Sequence, residues 1–447
     1  MGQGAESGGR AGDWTESDNS ETKVRFHTRV EAHNAAPTVF VNDRPLFLNA
    51  PYLQKAPYGS FKEAKTGVYM TSDHAFEVEP GGEVRARRAV KTVEAILECE
   101  PSAFVIVRTF PPAPDWWLDQ HPDEELAFDT DPEQYAGYDN YRDASWGSDL
   151  WLEAVCDWYR QFCGVLHERF RGQVIGYQFG MGSCGENNPL GACAGDGRWF
   201  AGDFSTDMIS CFRGWLRERY EDEAELRSAW GSDTVTFETA EVPGRIERLR
   251  TEWFTFRDPR RRHVSDYYEA FADRVATCVI RICSAIKQAT DNACLAGSHL
   301  GALMDNGFHG YLYHQTCINK VLRALEHPAV DTFTSPASYI NRDPGGDASS
   351  MMPAGSYALR GKLIYQDQDT RTHHVSEDYR KKFTLGEIAR NSEETVGVLK
   401  RDFAHMLIRG YGLWWHAMAR GMYDEPSVGK CIARLSEMGK RSLHFPR

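Results

Sequence analysis

Eight short runs of β-branched and aromatic residues, separated by longer stretches with helical periodicity, recur from about residue 37 onward. They are TVFVNDRPLFLNA (38–50), GVYMTS (67–72), AFVIVRTF (103–110), VIGYQFG (174–180), CLAGSHLG (294–301), VDTFTSPAS (330–338), KLIYQDQD (362–369) and YGLWWHAM (411–418). Regular alternation of strand and helix builds a parallel sheet with crossover helices, and eight such strands are the number that closes a barrel. The text between them agrees. In VRARRAVKTVEAILE, Val90, Val93 and Leu97 fall on one helical face, and similar patterns run through 150–170, 207–220, 263–289 and 392–410. Residues 221–262 read as an irregular polar insert. The expected architecture is α/β: one (β/α)8 TIM barrel over 37–447, with an insertion between strands 4 and 5 and a disordered polar tail over 1–36.

Charge narrows the partners. The formal net charge of −13 disfavours nucleic acid and anionic membrane surfaces, which repel an acidic protein. Twelve Trp among 447 residues exceed what packing asks for and suit a carbohydrate ligand. Eleven Cys without a CxxC pair read as buried reduced thiols of a cytoplasmic protein. Cys184 and Cys193, flanking a Glu-Asn-Asn loop, have a disulfide or a metal site as their alternative. The first residues show no apolar signal core, and no apolar run is long enough to span a bilayer. Aromatic residues in the insert leave homo-oligomerisation open.

Chemistry in a barrel gathers at the carboxyl ends of the strands, and these ends are unusually polar here. Strand three ends at Arg108, strand four leads into GMGSCGENN, strand five ends at His299, strand six runs into SPASYINR, and strand seven becomes IYQDQDTRTHH. Glu186 sits in a Gly-rich loop where backbone and carboxylate approach a ligand closely; by itself it reads equally well as a solvated loop glutamate. A second carboxylate at the mouth of strand seven, Asp367, changes that. Two carboxylates flanking a sugar bond are what glycoside hydrolysis needs, one to protonate the leaving oxygen and one to attack or to activate water. Arg108, Arg342 and Arg371 are expected either to keep the carboxylate ionised and bind hydroxyls or to form salt-bridge networks. Tyr339, Asn187, His299 and Asp369 complete the expected substrate contacts, with Trp414 and Trp415 as stacking platforms. Trp116 and Trp117 are weaker candidates of that kind. A metal-dependent hydrolase using His299, His373, His374 and Asp369 ranks last, because no HxH marks the first strand; no metal and no cofactor is expected.

FVNDRPLFLNAPY, VRTFPPAPDWWLDQHPDEE, GYQFGMGSCGENN, LRSAWGSD with FRDPRRRHVSDYYEAFADRVA, and WWHAMARGMYD, taken in order, resemble the catalytic barrel of clan A glycoside hydrolases. The family 42 β-galactosidases and their distant relatives are the nearest likeness, over roughly residues 37–430. That resemblance implies an exo-acting, retaining glycosidase, with Glu186 as acid/base and the nucleophile at the end of strand seven. Asp367 stands where the family has Glu, shorter by one methylene, so either stereochemical course is open. An alternative alignment puts Gln366 or Gln368 there instead. A barrel without that Glu would bind a sugar or a protein silently.

Overall fold

A computed structural model describes residues 26–445 apart from 53–60, 62–63, 72–73, 129–141, 183–184, 188–202, 245–246, 248–260, 301–319, 349, 383–387 and 420. The chain opens with an antiparallel sheet of β1 (Thr28–His33), β2 (Ala36–Val41) and β3 (Arg44–Leu46). Asn34 and Ala35, then Asn42 and Asp43, take positive φ at its two hairpin turns, as tight hairpins with right-handed twist require. Two expectations are corrected here. β1 lies inside the segment assigned to the disordered tail, and the run read as one strand over 38–50 is two hairpin strands followed by the first barrel strand.

That strand is β4 (Asn49–Tyr52), followed by β5 (Val68–Met70). Short pairings β6 (His74–Ala75), β7 (Glu77–Val78) and β8 (Val84–Arg85) precede β9 (Phe104–Phe110) and β10 (Val174–Phe179). β11 (Leu295–His299), β12 (Thr332–Pro336), β13 (Leu363–Gln368) and β14 (Gly412–His416) complete the series. Strands β4, β5, β9, β10, β11, β12, β13 and β14 pair in parallel in that order, and β14 returns to β4, closing the ring. The chain is a closed (β/α)8 barrel. Its strands are buried on both faces, which is why they read as near-continuous apolar runs.

Five helices fall where periodicity places them, α1 (Arg87–Cys99), α2 (Asp149–Arg169), α3 (Thr206–Arg219), α4 (Arg262–Ala289) and α5 (Ser392–Arg409), and α6 (Pro426–Ser442) follows the last strand. The buried line of α1 is Ala89, Val93 and Ile96, with Val90 and Leu97 half-buried beside it. Side-chain caps fix several entries: Ser148 accepts from Trp151 N before α2, and Asn391 from Glu394 N before α5. Between β10 and β11, α3 precedes the expected insertion over 221–262, and the insertion, read from sequence as irregular, carries a helix of its own over Glu223–Trp230.

The barrel lumen is packed. Tyr365 donates to the Gln178 amide oxygen at 2.8 Å in its middle. Gly297 makes room for that amide, since a β-carbon there would fall 2.6 Å from Gln178 Oε1 and 1.9 Å from Thr332 Oγ1. At the foot, Thr28 Oγ1 bonds the Ile175 and Ala293 carbonyls, seating β1 against the strand entries. Asp331 is half-buried there against Lys287 Nζ at 2.5 Å and also accepts from Ala296 N.

Candidate active site

Strand alternation decides which residues face the lumen. On β14, Trp414 packs against Tyr52, Tyr365 and His299 and therefore points inward; Trp415 lies on the opposite face, 6.4 Å from the ring of Tyr423. Trp415 is thus no sugar platform. Trp414 is fully buried, so it forms the floor of the site in place of an exposed stacking surface, and its indole N–H has no partner among the described residues. Trp116 spends its own indole N–H on the Val78 carbonyl, and Trp117 is buried.

The same alternation resolves strand seven. Gln366 donates to Gln368, Gln368 to Thr370 and Thr370 to Asp402 of α5, a chain running along the outer face toward the helices. Tyr365 and Asp367 point the other way, into the barrel. The inward carboxylate is therefore Asp367, and the alignment placing a Gln there falls. Asp367 is buried, and both its oxygens lie 3.0 Å from His416 Nδ1. Burial raises its pKa and the Asp369 charge adds to the rise; His416 and Arg108 pull against both.

Asp369, two residues on, is held differently. Tyr339 donates to it at 2.7 Å, and Arg342 pairs with it through Nη2. Burial alone would raise its pKa, yet Arg342, Arg371 and the Tyr339 hydroxyl bring it down to about 2. Arg342 also stacks over Tyr339, 4.3 Å from the ring centre, and is itself anchored because Arg401 donates to its backbone oxygen. The arginines expected to serve the attacking carboxylate divide their work: Arg342 and Arg371 serve Asp369, whereas Arg108 acts on Asp367. Arg108 donates to the Tyr52 hydroxyl at 3.0 Å and lies 4.9 Å from the centre of the Trp414 ring.

Glu186 reaches the same mouth from β10. Gly185 makes this possible: its φ is +69°, and a β-carbon there would fall 2.1 Å from Phe110 and 3.2 Å from Arg108 Nη2. The half-buried Glu186 that follows sits close enough to Tyr339 to act on its ionisation. Burial first, then the Asp369 and Glu186 charges, push that phenol well above its usual range against the pull of Arg342. Asn187 does not face a ligand. Fully buried at positive φ, its amide accepts from Met181 N and donates to Ser298 Oγ, locking the loop that presents Glu186.

His299 is fully buried, and neither ring nitrogen has a partner among the described residues. Desolvation, reinforced by Arg108 and His416, drives its pKa well below the ordinary value, so it is a neutral imidazole with one donor and one acceptor unspent. Arg342 Nη1 is likewise buried and unpartnered among the described residues. His416 went unnoticed at the sequence level although period two in WWHAM puts it on the face of Trp414. His373 and His374 turn away to Thr395 Oγ1 and the Gly421 carbonyl, and among the described residues no cluster of three His, Cys, Asp or Glu is placed to hold a metal ion. Cys184 and Cys193 lie outside the described residues.

No protein-family model matches this chain, and no curated protein does. Solved structures do. The catalytic domain of a β-amylase from Paenibacillus polymyxa aligns with a TM-score of 0.56 at 14% identity, over 87% of this chain and 97% of that one. A β-galactosidase from the haloarchaeon Halorubrum lacusprofundi and another from Marinomonas ef1 each align with a TM-score of 0.54 at 13% identity over 88% of this chain. The chain spans 58% and 59% of those two proteins' lengths. At these identities the likeness is one of fold.

Proposed function

We propose that this barrel is a glycoside hydrolase in which Glu186 protonates the leaving oxygen and Asp367 is the second carboxylate. The observation that carries the reading is the convergence of two acidic elements at one barrel mouth: the Glu186 loop from the fourth strand and the Asp367–Asp369 pair from the seventh, linked through Tyr339. Neutral polar groups left unspent there, the His299 imidazole and the Trp414 indole N–H, suit hydroxyl recognition and not a charged ligand. Proteins of like fold are named as enzymes of carbohydrates, which supports a sugar substrate, and a β-galactosidase-like release of terminal units is the form the sequence resemblance favours. Two carboxylates serve retention if Asp367 attacks the anomeric carbon and inversion if it organises a water.

Glu186→Gln tests the reading. Loss of the acid should slow hydrolysis of glycosides with poor leaving groups by about 10²–10⁴-fold and spare activated ones. Equal rates for both classes would remove Glu186 from the chemistry. A second reading, a barrel that binds sugar without cleaving it, is favoured by one observation: the strand-seven acid is a buried aspartate tied to His416. Calorimetric binding of a sugar that the protein fails to hydrolyse would support it.

A further inference from the structure

The seventh strand presents little of its carboxylate to the mouth, and the eighth presents an imidazole beside it. In register, Asp367 lies level with Trp414, so His416 sits two residues nearer the mouth, about 6.6 Å along the strand. The Asp367 side chain keeps 7% of its surface and that of His416 keeps 16%. The imidazole is fixed from three sides: Nδ1 on both Asp367 oxygens at 3.0 Å, the edge of Tyr52 at 4.6 Å and Trp414 at 5.6 Å between ring centres. An ionised Asp367 can only accept, which puts the proton of a neutral His416 on Nδ1 and the lone pair on Nε2. No described residue bonds that Nε2.

We propose, resting on the hydrolase reading above, that Asp367 and His416 form a dyad in which His416 is the base and Asp367 its positioning residue. Water attacks the anomeric carbon as His416 Nε2 takes its proton. The glycosidic C–O bond breaks, and the leaving oxygen takes the proton of Glu186. The cycle ends with imidazolium and carboxylate, which exchange that proton through solvent. This is the division of labour of a carboxylate-oriented imidazole transferred to a sugar site. It accounts for the Asp at a place where the resemblance leads one to expect Glu: the shorter side chain leaves room for the ring above it. Its stereochemical course is inversion, in place of the retention that the resemblance implies.

The test is the anomeric configuration of the first-formed sugar, followed by proton NMR on a para-nitrophenyl glycoside that the full chain hydrolyses. It is run beside mass analysis after incubation with the corresponding fluorosugar inactivator. Inversion with no covalent adduct is expected. Retention, with one glycosyl unit attached at Asp367, overturns the dyad and leaves the hydrolase reading standing; hydrolysis of no glycoside overturns both. His416→Ala should lose about 10²-fold or more in kcat, with azide restoring turnover as a glycosyl azide. Because His416 packs on Tyr52, His416→Gln is a second variant, checked for folding by thermal melting. Undiminished turnover by either folded variant also overturns the proposal.

Discussion

The two ends of the barrel each hold an aspartate against a base, and they differ in what the base has left over. At the foot, Asp331 meets Lys287 and Ala296 N, while Lys287 also donates to the Cys294 carbonyl and Lys362 to two backbone carbonyls nearby. That cluster is closed. At the mouth, Asp367 meets His416, whose second nitrogen is unspent, beside His299 with both nitrogens unspent and Arg342 with one. Burial raises the pKa of both aspartates, so a displaced titration does not separate structure from function here. Between these two clusters open hydrogen-bonding capacity is the difference, although the buried Trp415 indole N–H and Tyr357 hydroxyl elsewhere also have no partner among the described residues.

The contrast predicts different consequences at the two ends. Asp369→Ala strands Arg342 in the interior and should cost about 3–5 kcal/mol of stability as well as activity, measured by denaturant unfolding and turnover. Asp369 titrates low in the folded chain, so its contribution is present above the unfolded carboxylate range, near pH 4, and fades as pH falls toward about 2. Lys287→Met leaves Asp331 unpaired at a somewhat more open site. It should cost about 3 kcal/mol of stability and leave kcat per folded molecule unchanged; a lowered kcat would break the comparison. His299→Ala removes an unspent imidazole, and the loss should appear in kcat/KM, about 1–3 kcal/mol, with little change in melting temperature. A large stability loss would return His299 to the core.

How much of this was legible depends on which side of a strand carried the signal. Seven of the eight barrel strands declared themselves because parallel strands covered on both faces are apolar throughout, the first being merged into the run over 38–50, and helices α1 to α5 did so by their periodicity. The N-terminal sheet was hidden by its brevity, although the Asn42-Asp43 turn inside VNDRP is a hairpin signal. In the site, residue type outran geometry. Trp415 and Asn187 have the right chemistry on the wrong side, and His416 has the right side without an obvious motif. The Arg342–Asp369–Tyr339 lock joins the segments that follow the neighbouring strands β12 and β13, and no local pattern in sequence encodes such a tertiary contact.

The most direct measurement is hydrolysis of a panel of para-nitrophenyl α- and β-glycosides by the purified protein, with Asp367→Ala alongside. The account predicts that one sugar and one anomer are cleaved and that the variant loses this activity while remaining folded. Cleavage that persists in the variant, or a panel left untouched by the unmodified chain, would contradict it.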